Sequence, residues 1–314
     1  MAVERGKVAC IGSGLIGQGW AALFALKGYE VVMQDLSDEV LERAAARVRS
    51  HIRFLADTGL GDDLNSALGR IETTTDLVEA VEDVVLAVES VYESYEVKKP
   101  VFAEMDQAAP EDAILASSTS GLLMTEIQKA VGLHPERCIV AHPWNPAHLV
   151  PLVELAPGEL TSRRTVERTY AIMEDIGKVP VVLKKEAPGF IANRLSVALW
   201  REALDLVDKG VASVEDVDKA VRAGPGIRWA IMGPYLTYHL GGGTGGIEYL
   251  MRHIGASKAS WLETMAKWTD TPESAIEKAI DGVNEMVGGR PLEELEAWRD
   301  ERLAKLLGLL WKNK

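Results

Sequence analysis

The segment His142-Pro143-Trp144-Asn145-Pro146, with Glu154 eight residues further on, brings together groups that can work on one proton. An imidazole accepts a proton near neutrality, a carboxylate can hold the ring in one orientation, and an amide can orient a bound hydroxyl. Near the N-terminus stands Gly12-Ser13-Gly14-Leu15-Ile16-Gly17, the glycine spacing of a dinucleotide cradle. A proton acceptor combined with a hydride carrier implies oxidation of an alcohol, or its reverse.

These residues need a scaffold, and the chain predicts one. Lys7–Ile11 is a short apolar run suited to a buried parallel strand. Leu15–Leu26 follows as a helix stopped by Gly28, and Glu30–Gln34 as a second strand. Further strands are expected at Asp83–Val88, Ala113–Ala116, Arg137–Ala141, Val150–Leu155 and Val179–Leu183, with helices at Asp38–Leu55, Tyr95–Gln107 and Ser162–Ile176. Such alternation predicts an α/β Rossmann-type doubly wound sheet. After Leu183 the strand signal stops, and an all-α C-terminal domain is expected. Its helices fall at Pro188 to before Gly210, Val214–Arg222, Ile227–Leu240, Ala275–Val287 and Leu292–Leu310. The division near Glu186 makes residues 1–186 the cofactor domain and residues 187–314 the domain for substrate closure and dimerisation.

The 314 residues are 47% hydrophobic and 26% charged, as in a soluble globular chain, and the net charge of −13 argues against nucleic-acid or anionic membrane partners. No apolar run approaches the roughly 20 residues of a transmembrane helix. Residues 1–16 lack a secretory signal pattern, and Cys10 and Cys138 read as buried free thiols in strands. The expected location is therefore cytoplasmic. His51, His134, His148, His239 and His253 read as structural, without metal-ligand spacing, so no metal is expected.

The glycine motif gains force from its context, directly after a strand and opening a helix. Gly12 permits the turn, Gly14 lets the backbone approach a pyrophosphate, and Gly17 lets helix and strand pack closely. Leu15 and Ile16 open the helix, whose free N–H groups face the phosphates. Asp35 ends the second strand, where a carboxylate can accept bonds from ribose hydroxyls and repels a 2′-phosphate. No arginine follows in Leu36-Ser37-Asp38, so the expected cofactor is NAD rather than NADP.

Five motifs in order carry a resemblance over nearly the whole chain. They are Gly12–Gly17, Ser117-Ser118-Thr119-Ser120, His142–Pro146, Leu152-Val153-Glu154, and Pro188-Gly189-Phe190-Ile191-Ala192-Asn193-Arg194. Together they resemble the 3-hydroxyacyl-CoA dehydrogenase superfamily, and within it the lambda-crystallin (L-gulonate 3-dehydrogenase) and carnitine 3-dehydrogenase groups. The resemblance implies His142 as general base and Glu154 as the acid that holds its ring. It implies Ser120 and Asn193 as hydrogen-bonding partners of the reacting oxygen, with Asn145 supporting the loop or the substrate. Glu93 and Lys98 match positions that meet the nicotinamide half of the cofactor. The substrate is then expected between the two domains, and the helical half is expected to form a homodimer. Simpler readings compete: Ser120 as the cap of a helix starting near Leu122, and Asn193 facing water.

The family's CoA-ester enzymes pass almost directly from Gly-x-Gly to Met-Gly-Pro. Here Gly224-Pro225-Gly226 is followed by Ile227-Arg228-Trp229-Ala230-Ile231 before Met232-Gly233-Pro234. A guanidinium offers a planar fork for a free carboxylate, so Arg228 is expected to bind one, against the plainer reading of a surface arginine. Trp144, Trp229, Tyr235 and Tyr238 can form either core or a box for a quaternary ammonium. Carnitine-like and sugar-acid substrates both stay open. Gly241–Gly246 follows a helix and lacks a P-loop lysine, so it reads as a flexible interhelical connection. The rival functions are a short-chain 3-hydroxyacyl-CoA dehydrogenase and a crystallin-like structural or binding protein.

Overall fold

The computed structural model describes residues 5–60, 64–253 and 255–311. Its single sheet has eight strands: β1 (Lys7–Ile11), β2 (Glu30–Gln34), β3 (Ile71–Thr74), β4 (Leu86–Glu89), β5 (Ile114–Ser117), β6 (Cys138–Pro143), β7 (Leu152–Pro157) and β8 (Val179–Val182). Their order across the sheet is β3-β2-β1-β4-β5-β6-β7-β8, and every pairing is parallel except β6 with β7. Continuous burial of β1, β4, β5 and β6 explains their apolar sequences, since helices cover both faces of a parallel sheet. One core cluster packs the Leu15–Leu26 and Asp38–Asp57 helices on one face, through Trp20, Phe24, Leu41 and Ile52. The other joins the Tyr95–Ala108 helix to the opposite face through Phe102 and Met105. This is the expected Rossmann-type sheet, followed by a helical region.

β3 was not expected from the sequence. Its four residues, Ile71-Glu72-Thr73-Thr74, lie at the sheet edge with only the ends half-buried, so no apolar run marks them. The helix expected from Pro188 begins instead at Ala192. Gly189 (φ 73°) and Phe190 (φ 53°) adopt left-handed conformations that a right-handed helix cannot include. The helix expected over Ile227–Leu240 is two helices, Pro225–Ile231 and Pro234–Gly241, because Met232 is extended and Pro234 starts the second. The glycine run connects helices, as expected, but contains a short 3-10 turn, Gly243–Gly245, before the Gly246–His253 helix.

The chain divides into two compact units. The first contains the sheet up to Asn193 and also the chain from Trp298 onward; the second runs from Arg194 to Ala297. Residues 298–311 therefore group with the nucleotide-binding unit rather than with the helical region in which the sequence placed them. The reason is packing, for Leu307 and Trp311 share a cleft with Leu23, Leu55 and Leu149. Cys10 and Cys138 are free and buried, and burial pushes the Cys10 thiol up to about 12.

Candidate active site

The glycine turn differs in purpose at each position. Gly12 has φ +90°, and a Cβ there would sit 2.8 Å from the Ser90 backbone. A Cβ on Gly17 would come within 2.0 Å of the Gly12 carbonyl oxygen. A Cβ on Gly14 would meet no protein atom within 4 Å, so the protein's own packing does not demand glycine there. Glycine there leaves the backbone open to close approach by a pyrophosphate. The helix that opens at Leu15 has no side-chain cap and no acid in its first turn, which leaves its N–H groups suited to a pyrophosphate. Leu15 is exposed and Ile16 half-buried at that entrance. Asp35 follows β2, and its carboxylate accepts from the Ser13 amide (2.7 Å) and the Leu36 amide (2.7 Å). It thereby ties the glycine turn to the strand end where a ribose would lie. These residues fit NAD.

The antiparallel return of β7 along β6 brings His142 and Glu154 together. In that register His142 lies opposite Glu154, and Nδ1 is 3.0 Å from Oε2. Twelve residues of chain thus close into one buried contact, with His142 4% and Glu154 1% exposed. An ionised Glu154 holds the proton on Nδ1, which leaves the Nε2 lone pair as the ring's basic atom. The second oxygen, Oε1, accepts from the amides of Ile191 (2.8 Å) and Ala192 (2.9 Å) at the start of the Ala192–Asp208 helix. Burial pushes the Glu154 carboxyl up, but the His142 bond and the two amides outweigh it and hold the group below its ordinary value. Phe190 and Trp144 flank the imidazole, with ring centroids 5.4 Å and 6.5 Å away. The left-handed turn at Gly189-Phe190 both buries Phe190 and presents the two amides to Glu154.

The loop after β5 carries Ser120, which is exposed. It is not the cap of the next helix. Thr119 Oγ1 takes the Gly121 and Leu122 amides, and the helix starts only at Met124. Asn193 Nδ2 donates to the Ser120 carbonyl (2.8 Å), so these two expected residues do meet. Asn145, within the cis Asn145–Pro146 bond, is exposed and beside Trp144 in the chain.

Glu93 and Lys98 belong to a cluster that sequence reasoning saw only in part. Glu93 Oε1 accepts from the Thr119 hydroxyl (2.6 Å) and the Ser120 amide (2.8 Å), which places the Ser120 loop. Lys98 Nζ lies 3.3 Å from Glu93 Oε2 and 2.7 Å from Glu89 Oε1. Glu89 is fully buried and also accepts from the Val91 amide and the Ser117 hydroxyl, both at 2.6 Å. Burial pushes its carboxyl up against the pull of Lys98, Ser117 and Val91. The only sequence signal for Glu89 was an acid at the end of an apolar strand. Nearby, Trp20 Nε1 donates to Ser118, and the buried Lys178 ammonium lies over the Trp20 ring while donating to the Ala147 and Val150 carbonyls. Lys178 thereby braces the β6–β7 connection.

In the second unit Arg228, Trp229, Tyr235 and Tyr238 are all exposed. Among the described residues no carboxylate pairs with Arg228.

The glycine turn, the buried His–Glu pair and the hydroxyl-bearing loop all stand at the carboxyl ends of the parallel strands, an arrangement that fits an NAD-dependent dehydrogenase. Residues 7–187 match the family 3-hydroxyacyl-CoA dehydrogenase, NAD binding domain, and residues 189–281 match its C-terminal domain. The chain belongs to the 3-hydroxyacyl-CoA dehydrogenase family and is an NAD-dependent oxidoreductase. It is 40% identical over 306 residues to L-carnitine dehydrogenase of Oceanobacillus iheyensis, covering 97% of this chain and 98% of that one. It is 41% identical over 298 residues to L-carnitine dehydrogenase of Nocardiopsis dassonvillei, covering 94% and 89%. Among solved structures it is similar to 5-formyl-3-hydroxy-2-methylpyridine 4-carboxylic acid 5-dehydrogenase, an NAD+-dependent dismutase. That match has a TM-score of 0.83 and 30% identity, and covers 98% and 99% of the two chains.

Proposed function

We propose that the protein oxidises a free 3-hydroxy acid of the carnitine type to the 3-oxo acid, with His142 as general base. The carrying observation is the buried His142–Glu154 pair at 3.0 Å, which leaves Nε2 as the basic atom. NAD, when bound, supplies the hydride acceptor. His142 Nε2 takes the hydroxyl proton as the carbinol carbon gives up its hydride, and the C–O bond becomes a carbonyl. Glu154 stabilises the imidazolium that forms. Ser120 and Asn193 hold the substrate oxygen through both states, with Asn145 supporting the loop or substrate at the same end of β6. Glu93 and Lys98 position the nicotinamide side of the site.

Arg228 supports a free acid over a thioester, because a guanidinium with no carboxylate partner among the described residues suits an anionic substrate. Both carnitine and the pyridine carboxylic acid named for the solved relative carry free carboxylates, which agrees with this reading. Trp144 beside His142 supplies an aromatic face of the kind that binds a quaternary ammonium group. The apolar exposure of the helical unit supports a homodimer.

The test follows NADH formation with L-carnitine, L-gulonate, 3-hydroxybutyrate and 3-hydroxybutyryl-CoA. L-Carnitine is expected to give the highest kcat/KM, and a preference for the CoA ester would overturn the free-acid reading. His142→Ala should lose at least roughly 10³-fold in kcat while NADH still binds, and retained turnover would remove the proposed base.

A further inference from the structure

The Glu89–Lys98–Glu93 cluster takes no part in the proton transfer, yet the sheet order gives it a neighbour. Asp35 follows β2, the glycine turn follows β1, and His142 stands near the end of β6, in a sheet ordered β2-β1-β4-β5-β6. A dinucleotide with its ribose at Asp35 and its pyrophosphate at the glycine turn must extend its nicotinamide half past β4 and β5 to reach His142. Glu89 is the last residue of β4 and Ser117 the last of β5, so Glu89 and Lys98 lie buried beneath that route and Glu93 is exposed beside it.

Every contact made by the Glu89 carboxylate is a donor. Lys98 and Val91 donate to Oε1. The Thr119 amide donates to Ser117 Oγ, which leaves the Ser117 hydroxyl proton for Glu89 Oε2. This arrangement suits the anion. Two carboxylates and one ammonium then leave one net negative charge, and the burial of Glu89 and Lys98 limits its screening by water. The nicotinamide ring is cationic when oxidised and neutral when reduced.

We propose that Glu89 gives this cluster its net negative charge and so makes the site favour the oxidised cofactor over the reduced one. Lys98 alone with Glu93 would be neutral, and that preference would be lost. Glu89 is a positioning and charge-setting residue, acting through Lys98 and the Ser117–Ser120 loop. The inference rests on the NAD site, and cofactor binding measured without substrate reads it whichever hydroxy acid the enzyme takes.

The experiment measures Kd for NADH by fluorescence titration and for NAD+ by displacement, in the full-length protein. In Glu89→Gln the ratio Kd(NAD+)/Kd(NADH) should rise about tenfold. In Glu89→Gln with Lys98→Met the net charge returns to that of the original cluster, and the ratio should fall back to within about threefold of it. Lys98→Met alone leaves two carboxylates, and the ratio should drop about tenfold below the starting value. A ratio unmoved in the single variants, or a double variant shifted as far as Glu89→Gln, would overturn the proposal. Should Glu89→Gln fail to fold, the Lys98→Met and double variants decide it by the same rule.

Discussion

Single residues in this protein act through the charges they hold or exclude. Arg228 is exposed and is matched by no acid among the described residues, and its proposed role is to pair with a substrate carboxylate. Arg228→Glu should raise KM for the hydroxy acid about 100-fold, through lost bidentate pairing and added repulsion, while the Kd for NAD stays the same. An unchanged KM would return Arg228 to an ordinary surface role. His148 is the opposite case. It is buried and stacked on His51 at 4.0 Å, and burial with the fields of His51, Lys178 and Arg299 lowers its pKa from 6.5 to about 3. The unfolded chain takes up this proton near pH 6.5 and the native protein does not, so the associated stability is complete above that pH. It is lost as pH falls from 6.5 towards 3, by about 2 kcal/mol between pH 6 and 4.5. His148→Phe should flatten urea midpoints over the upper part of that window, while Glu154 and Asp106, whose carboxyls are held low, act below about pH 5. An unaltered pH slope in the variant would disprove the assignment.

At the scale of elements, the glycine turn separates a ligand's demands from the fold's. Gly17→Ala drives a Cβ to within 2.0 Å of the Gly12 carbonyl and should lower stability by about 2 kcal/mol, read as a drop in Tm. Gly14→Ala meets no protein atom, so Tm should change little while the Kd for NAD rises about tenfold or more. Equal effects of the two substitutions on Tm would sink this distinction. The strand-turn-helix from Lys7 to Leu26 was legible because an apolar run, a glycine motif and a helical stretch follow one another without interruption. β3 was not legible, since an edge strand with half-exposed ends needs no apolar run. The delayed start of the Ala192–Asp208 helix was equally hidden. Phe190 looks like a helix residue until its ring is seen packed against His142, which holds it at positive φ.

For the molecule as a whole, the helical unit leaves much apolar surface uncovered. Leu195, Trp200, Trp229, Trp261, Ile280 and Val283 are exposed, and few side chains between Arg194 and Ala297 are buried. A second copy of the chain is the proposed cover, because a water-facing patch of this size is costly. Light scattering after gel filtration should give twice the mass of one chain, and Trp200→Glu should shift it towards the monomer. A monomeric wild-type protein at micromolar concentration would end this proposal.

Contiguous patterns carried the sheet class, the NAD turn and the choice of His142 as the proposed base, because each depends on residue types and spacing within a short stretch. Resemblance named Glu154 as the histidine's partner, but the β6–β7 register is what makes the two meet. The burial of Glu89 against Lys98, the second hold of Glu154 on the Ile191 and Ala192 amides, and the return of residues 298–311 to the first unit appeared only in three dimensions. Each joins segments whose apposition depends on strand order and shared burial across the whole chain, and no local periodicity records that.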